Sequence, residues 1–164
     1  PTAEATGDQA TLVVQLDDNR TLVRKIDFTA PISGLALLEQ SDLDVATANF
    51  EWGTAVCSIE GVGCPADDCF CNDDVFWGYL TWQGDTWVGY PVSAGQSVIS
   101  TTGAIEGWQW GTGATPPISP DRAEAAQKAL KSEAYADARA QLAIVQHCQA
   151  SAEPGFNTLD VYSS

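Results

Sequence analysis

Methionine is absent from this chain, histidine occurs once, as His147, and no lysine or arginine lies between Ile26 and Asp121. With one imidazole far along a helical stretch, a Ser-His-Asp triad or a histidine-built metal site lacks its key residue. The G-x-S-x-G, H-E-x-x-H and phosphate-loop patterns are missing too, so no enzymatic activity is expected. Paired carboxylates for glycoside cleavage are the one chemistry the composition leaves open, and no spacing singles out a pair. The shortage of bases excludes nucleic acid as a partner, since phosphate is bound by basic patches. No run nears the roughly 18 apolar residues of a membrane span, so no transmembrane segment is expected. The opening PTAEATGDQA lacks the basic start and apolar centre of a secretory signal. It reads as a mature end left after an export signal was removed, which places the protein outside the cell or on its surface.

Acid, by contrast, is plentiful. The chain carries 22 Asp and Glu against 7 Lys and Arg, a net charge of -15, and the only bases before Arg122 are Arg20, Arg24 and Lys25. Such a surface either keeps an exported protein soluble or binds a cation such as Ca²⁺. Asp67, Asp68, Asp73 and Asp74 are the candidate Ca²⁺ ligands, although no cofactor is required by the pattern. A hydrophobic content of 45% over 164 residues suffices for one domain with a short appendage. Asn19-Arg20-Thr21 also spells a glycosylation sequon.

Four of the five cysteines fall in CSIEGVGCPADDCFCNDD: Cys57, Cys64, Cys69 and Cys71. Zinc sites favour two close pairs separated by a longer stretch, and C-x6-C-x4-C-x-C has neither that spacing nor a nearby histidine. A redox centre needs an electropositive setting to favour thiolate, and the surrounding aspartates do the reverse. Two disulfides fit both the composition and an oxidising compartment. If Cys69 and Cys71 lie in an extended segment they point to one face, and a nested pairing, Cys57–Cys71 with Cys64–Cys69, is expected. A loop of about 15 residues closed this way is worth about 3 kcal/mol in the chain-entropy model. Cys148 is left over, either as a buried thiol or as a candidate intermolecular bond.

Alternation of apolar and polar residues predicts a hairpin over 11–28 and a short helix in APISGLALLEQSD, with Ser33 as its N-cap. One or two strands follow in VATANFEWGTAVCSIEG. A second hairpin turns at Gln83-Gly84-Asp85, and a last strand ends near Gly113. This order predicts an α+β fold: a β-grasp-like mixed sheet with one packed helix. The Pro-rich TGATPPISPD breaks the composition, and Ser119-Pro120-Asp121 starts a helix whose apolar thread is Leu130, Tyr135, Ala138, Leu142 and Val145. The expected divisions are a tail at 1–10, a disulfide-stapled domain at 11–113, a linker at 114–120 and a helical extension with tail at 121–164. The tail holds a candidate strand, TLDVY.

Five of the six tryptophans lie between Trp77 and Trp110. In an extended 76–82, Trp77, Tyr79 and Thr81 share one face while Phe76, Leu80 and Trp82 share the other. Trp108 and Trp110 likewise share a face. These rings serve as core and cross-strand packing, as a flat platform for a ring-shaped or sugar ligand, or as a contact surface for another protein. The candidate ligand or partner surface is Trp77, Tyr79, Trp82, Trp87, Tyr90, Trp108 and Trp110.

Across GTAVCSIEGVGCPADDCFCNDDVFWGYLTWQGDTWVGYPVSAGQSVISTTGAIEGWQWG the chain resembles the transcobalamin C-terminal-like family. This is a β-grasp domain found in cobalamin carriers and in many exported bacterial proteins. The likeness is carried by Phe76-Trp77-Gly78-Tyr79-Leu80, by Trp87-Val88-Gly89-Tyr90 and by GAIEGWQWG. It covers roughly residues 11–111, and the cysteine-rich insertion looks like that of the exported bacterial branch. The resemblance implies a β-grasp domain and a corrinoid-type ligand, which in the vertebrate carriers such a domain covers as a lid opposite a helical toroid. The helix after residue 119 resembles at most the beginning of such a partner. Two functions are therefore expected to compete. One is a secreted, non-enzymatic binding module for a small molecule. The other is a structural subunit of an extracellular filament or cell-surface assembly, self-associating or bound to another surface protein. The spare Cys148, the thin-striped helix and polar ends that need tying down fit the second.

Overall fold

Asp17 explains the first turn. Its carboxylate accepts from the backbone N–H of Asn19 and Arg20 at 2.9 and 2.8 Å and from the Arg20 guanidinium at 2.6 Å, which bends DDNR back on itself. The Arg20 side chain, followed by the Asn19 amide, holds the Asp17 carboxyl below its ordinary value. The strands on either side, β1 (Asp8–Gln15) and β2 (Thr21–Phe28), pair antiparallel from Asp8↔Phe28 to Gln15↔Thr21. The structure, a computed structural model, describes residues 7–113 and 118–150, with side chains as far as Ile144. The candidate strand TLDVY and the side chain of Cys148 lie outside the described residues.

After β2 comes the short helix α1 (Gly34–Glu39), capped as expected by Ser33, whose hydroxyl accepts from the Ala36 N–H at 3.1 Å. The chain continues through β3 (Val45–Phe50), β4 (Gly53–Ile59) and β5 (Val62–Gly63) to the second hairpin, β6 (Phe76–Gln83) and β7 (Thr86–Gly89), and then β8 (Ile105–Gly111). The five-stranded sheet has the order β2-β1-β8-β6-β7. Its central pair, β1 and β8, is parallel, and its other pairs are antiparallel. A parallel pair at the centre of a hairpin-flanked sheet, with a helix across one face, is the β-grasp-like arrangement. The α+β fold class, the mixed sheet, the packed helix and a distinct C-terminal helix α2 (Pro120–Ala150) are all present.

One expectation about the sheet is corrected. β3, β4 and β5 do not join the mixed sheet but form a three-stranded sheet of their own. β4 alternates, with Ala55, Cys57 and Ile59 buried, so beside its neighbours β3 and β5 it also needs a layer beneath it. Ile59 joins the core that contains Trp77, and Trp77 Nε1 donates to the Val62 carbonyl at 3.1 Å.

The alternation of β1 distributes the two faces of the main sheet. Leu12 and Val14 go to the α1 side, with Leu37, Leu38, Ile26, Phe28 and Trp108. Val13 goes to the other side, where it meets Val23, Trp87, Ile105, Ile118 and Ala123. The first turns of α2 cover this second face: Ala123 is fully buried, Gln127 accepts from the Val23 N–H at 2.8 Å, and Lys25 pairs with Glu124 at 2.9 Å. The chain forms two compact units, Pro1–Gln127 and Lys128–Ser164. Within the second, Leu130, Tyr135 and Leu142 of the apolar thread are exposed, together with Ile144, while the side chain of Val145 lies outside the described residues.

The staple is real, but its pairing differs from the nested one. Cys57 joins Cys69, and Cys64 joins Cys71, with Cα–Cα distances of 4.7 and 5.7 Å. The 67–71 segment is not extended. A 3₁₀ turn at Ala66–Asp68 leads into a helical Cys69, and the Cys71 N–H bonds to the Asp68 carbonyl. Cys64 sits across the β4–β5 turn from Cys57, its N–H on the Cys57 carbonyl at 2.8 Å. Two adjacent anchors and a turning partner segment give a crossed pairing.

Candidate ligand cleft

A cleft of about 240 Å³ opens where the small sheet overhangs the main one. Its floor comes from β6 and β8: Trp77, Tyr79, Trp108 and Trp110. These four share a face because Trp77 is paired with Trp110 and Tyr79 with Trp108 across the antiparallel ladder. Tyr79 is sandwiched, stacking on Tyr90 at 4.3 Å and on Trp108 at 4.7 Å, while Trp77 and Trp110 lie tilted at 5.6 Å. The rim is exposed and apolar: Trp52, Phe70, Phe76 and Val92 are between 43% and 55% accessible.

The expected aromatic set is therefore divided. Trp77, Tyr79, Tyr90, Trp108 and Trp110 line the cleft. Trp82 and Trp87 form an edge-on pair on the opposite face, where the Trp87 ring fills the space over Gly107 and its Nε1 donates to the Ile118 carbonyl at 3.1 Å. There Trp87 packs with Ile118 and Ala123. Trp77 and Trp108, at 8% and 3% accessible, are floor rather than surface.

Sequence reasoning missed the rim. Phe50 and Trp52 stack with their planes 2° apart at the tip of the β3–β4 hairpin, and Phe70 lies against both at 5.4 and 6.4 Å. The signal was present: Phe70 stands between Cys69 and Cys71, one from each disulfide. Crosslinks on either side of Phe70 restrain its backbone and so set the position from which its exposed ring meets the rim. The disulfides thus anchor the segment that carries one of the rim residues.

The polar atoms around the floor divide into satisfied and unsatisfied ones. Ser97 Oγ accepts from the Gly34 N–H, donates to the Ala94 carbonyl and lies 3.2 Å from the Tyr79 hydroxyl. A Cβ on Gly34 would collide with that hydroxyl, so glycine at this position lets Tyr79 reach its place. Burial, and then the nearby Glu106, push the Tyr79 hydroxyl far above its ordinary pKa. Among the described residues, Trp108 Nε1 and Ser93 Oγ are buried without a hydrogen-bond partner, and both residues line the cleft.

The four candidate Ca²⁺ ligands, Asp67, Asp68, Asp73 and Asp74, are all exposed. Among the described residues no three His, Cys, Asp or Glu side chains converge as a metal shell. Nor, among them, is any helix long and apolar enough to cross a membrane.

No protein-family model matches the chain, and no curated protein matches it. Several solved structures are similar, among them the following two. A crystal structure of haptocorrin in complex with Cbi matches over 64% of this chain with 16% identity and a TM-score of 0.47, and this chain spans only 25% of its length. A "putative metal binding protein" from Ruminococcus gnavus matches over 65% of this chain and 98% of its own, with 17% identity and a TM-score of 0.46.

Proposed function

We propose that this chain is a non-enzymatic, exported binding module whose cleft takes a flat, ring-bearing small molecule. The observation that carries this reading is the Trp108 indole N–H, buried and unpartnered in a floor otherwise made of aromatic rings. Such a floor attracts a planar ligand by stacking and area burial, and a buried donor without an acceptor is costly until one arrives. The ligand therefore presents a hydrogen-bond acceptor at its edge. At about 240 Å³ the cleft is smaller than the roughly 300–1,000 Å³ that encloses a drug-sized ligand. A larger ring system is covered on one side only. A corrinoid, the class implied by the sequence resemblance, is the first ligand to try. The two disulfides support an oxidising compartment for the protein.

Tryptophan fluorescence titrated with cobalamin, haem and a soluble oligosaccharide tests the proposal. Saturable quenching by a ring ligand is expected, weakened about three- to tenfold by Trp108→Phe, which keeps an aromatic ring in the floor and removes the N–H. A flat response to all three ligands overturns it. The exposed Leu130, Tyr135, Leu142 and Ile144 on α2 favour a second reading, in which that helix makes contacts in a surface assembly. Light scattering of the full chain at high concentration, with Cys148 reduced, decides it: a strict monomer removes that reading.

A further inference from the structure

A second cleft, about 440 Å³, lies against the same face of the main sheet and is lined in part by Thr81, Tyr90, Ser100, Thr101 and Glu106. Its chemistry is the opposite of the first: hydroxyls around one carboxylate. Glu106 is 2% accessible. Its Oε1 accepts from the Tyr90 hydroxyl at 2.9 Å and from the Thr81 hydroxyl at 3.4 Å, whereas Oε2 has no partner among the described residues. The charge is not compensated from within. Arg20, Arg24 and Lys25 are paired with Asp17, Asp42 and Glu124, and among the described residues Glu106 has no ion-pair partner.

We propose that this cleft is a binding site for a small ligand bearing an ammonium or guanidinium group, which places its N–H on Glu106 Oε2. A buried carboxylate is stabilised by a counter-charge that also donates a hydrogen bond. A ligand cation supplies both at the one oxygen that lacks a partner. Ser100 and Thr101 are exposed at the mouth, and their hydroxyls can accept the remaining N–H groups. A neutral amide or alcohol provides only half of what the site offers. The net charge of -15 raises the local concentration of any such cation. This site shares Tyr90 with the aromatic cleft but does not depend on a ring ligand occupying it.

The test is an amide NMR titration of the full chain with butylamine and methylguanidine, at about 0.15 M salt to screen surface attraction. Saturable shifts at Thr81, Ser100, Thr101 and Gly103 are expected with both cations and none with butan-1-ol. Glu106→Gln lowers the affinity about tenfold or more, as loss of a charge-assisted bond requires. Asp85→Asn, which removes an exposed acid elsewhere, leaves it within about a factor of two. An unchanged affinity in Glu106→Gln, an equal loss in Asp85→Asn, or no saturable shift in the wild type overturns the proposal. If Glu106→Gln fails to fold, the wild-type shifts decide: changes spread over exposed acids such as Asp67 and Asp73 overturn the site, and changes confined to the cleft support it.

Discussion

Glu106 shows how one residue couples the fold to pH. Burial is the main cause that raises its carboxyl above the ordinary value of 4.5, opposed by the neighbouring hydroxyls of Tyr79, Tyr90 and Thr81, of which the last two hydrogen-bond to Oε1. A raised folded pKa means that the folded state holds its proton longer than the unfolded chain does. The stability this contributes is complete below the unfolded value and is lost as pH rises through the folded one. Glu106→Gln is therefore expected to raise the melting temperature at pH 8 and to do little at pH 3.5. Thermal denaturation at the two pH values measures this, and a gain that is larger in acid refutes it. Gly63 is limiting in another way. Its φ of +127° and a would-be Cβ 2.2 Å from the Cys57 carbonyl leave no room for a side chain. Gly63→Ala should cost about 1–3 kcal/mol or more in urea unfolding, because the obstacle is backbone that a disulfide residue holds in place.

At the scale of elements, the crosslinked segment 57–71 and the β3–β4 hairpin act together. The backbone of Phe70 is restrained by the disulfides on either side of it, and its ring lies against Phe50 and Trp52. Replacing Cys64 and Cys71 together by serine opens the shorter loop. In the chain-entropy model this costs about 2–3 kcal/mol, read as a lower urea midpoint. The same variant frees one side of Phe70, so ring-ligand quenching should weaken even where the protein is fully folded. Unchanged quenching would separate the staple from the cleft.

For the molecule as a whole, the second face of the main sheet sets where the chain can be cut. Val13, Val23 and Trp87 are covered by Ile118 and Ala123, and Gln127 closes the Val23 amide. A chain ending at Gln127 is expected to melt within a few degrees of the full chain. One ending at Gly113 exposes that face, and burying a side chain of this size is worth about 1.5–3 kcal/mol, so its melting temperature should fall by many degrees. Differential scanning calorimetry of the two truncations checks this, and equal melting temperatures would show that α2 adds nothing to the sheet.

Much of this was legible in the chain itself. The hairpins, the Ser33 cap and the start of α2 are local: the period of the apolar residues and a few capping and turn side chains determine them without distant help. The mixed α+β class followed from their order. The disulfide pairing was not legible, because it turns on whether residues 66–71 extend or coil. The separate small sheet was missed because an alternating strand such as β4 looks the same whether it joins a sheet or covers one. The cleft joins Trp52, Phe70 and Trp108 from three distant stretches, and Glu106 became unusual only once its surroundings were closed around it. Period and local chemistry are properties of the sequence; burial, pairing and the choice of neighbour are properties of the packed chain, and here they decided where a ligand could bind.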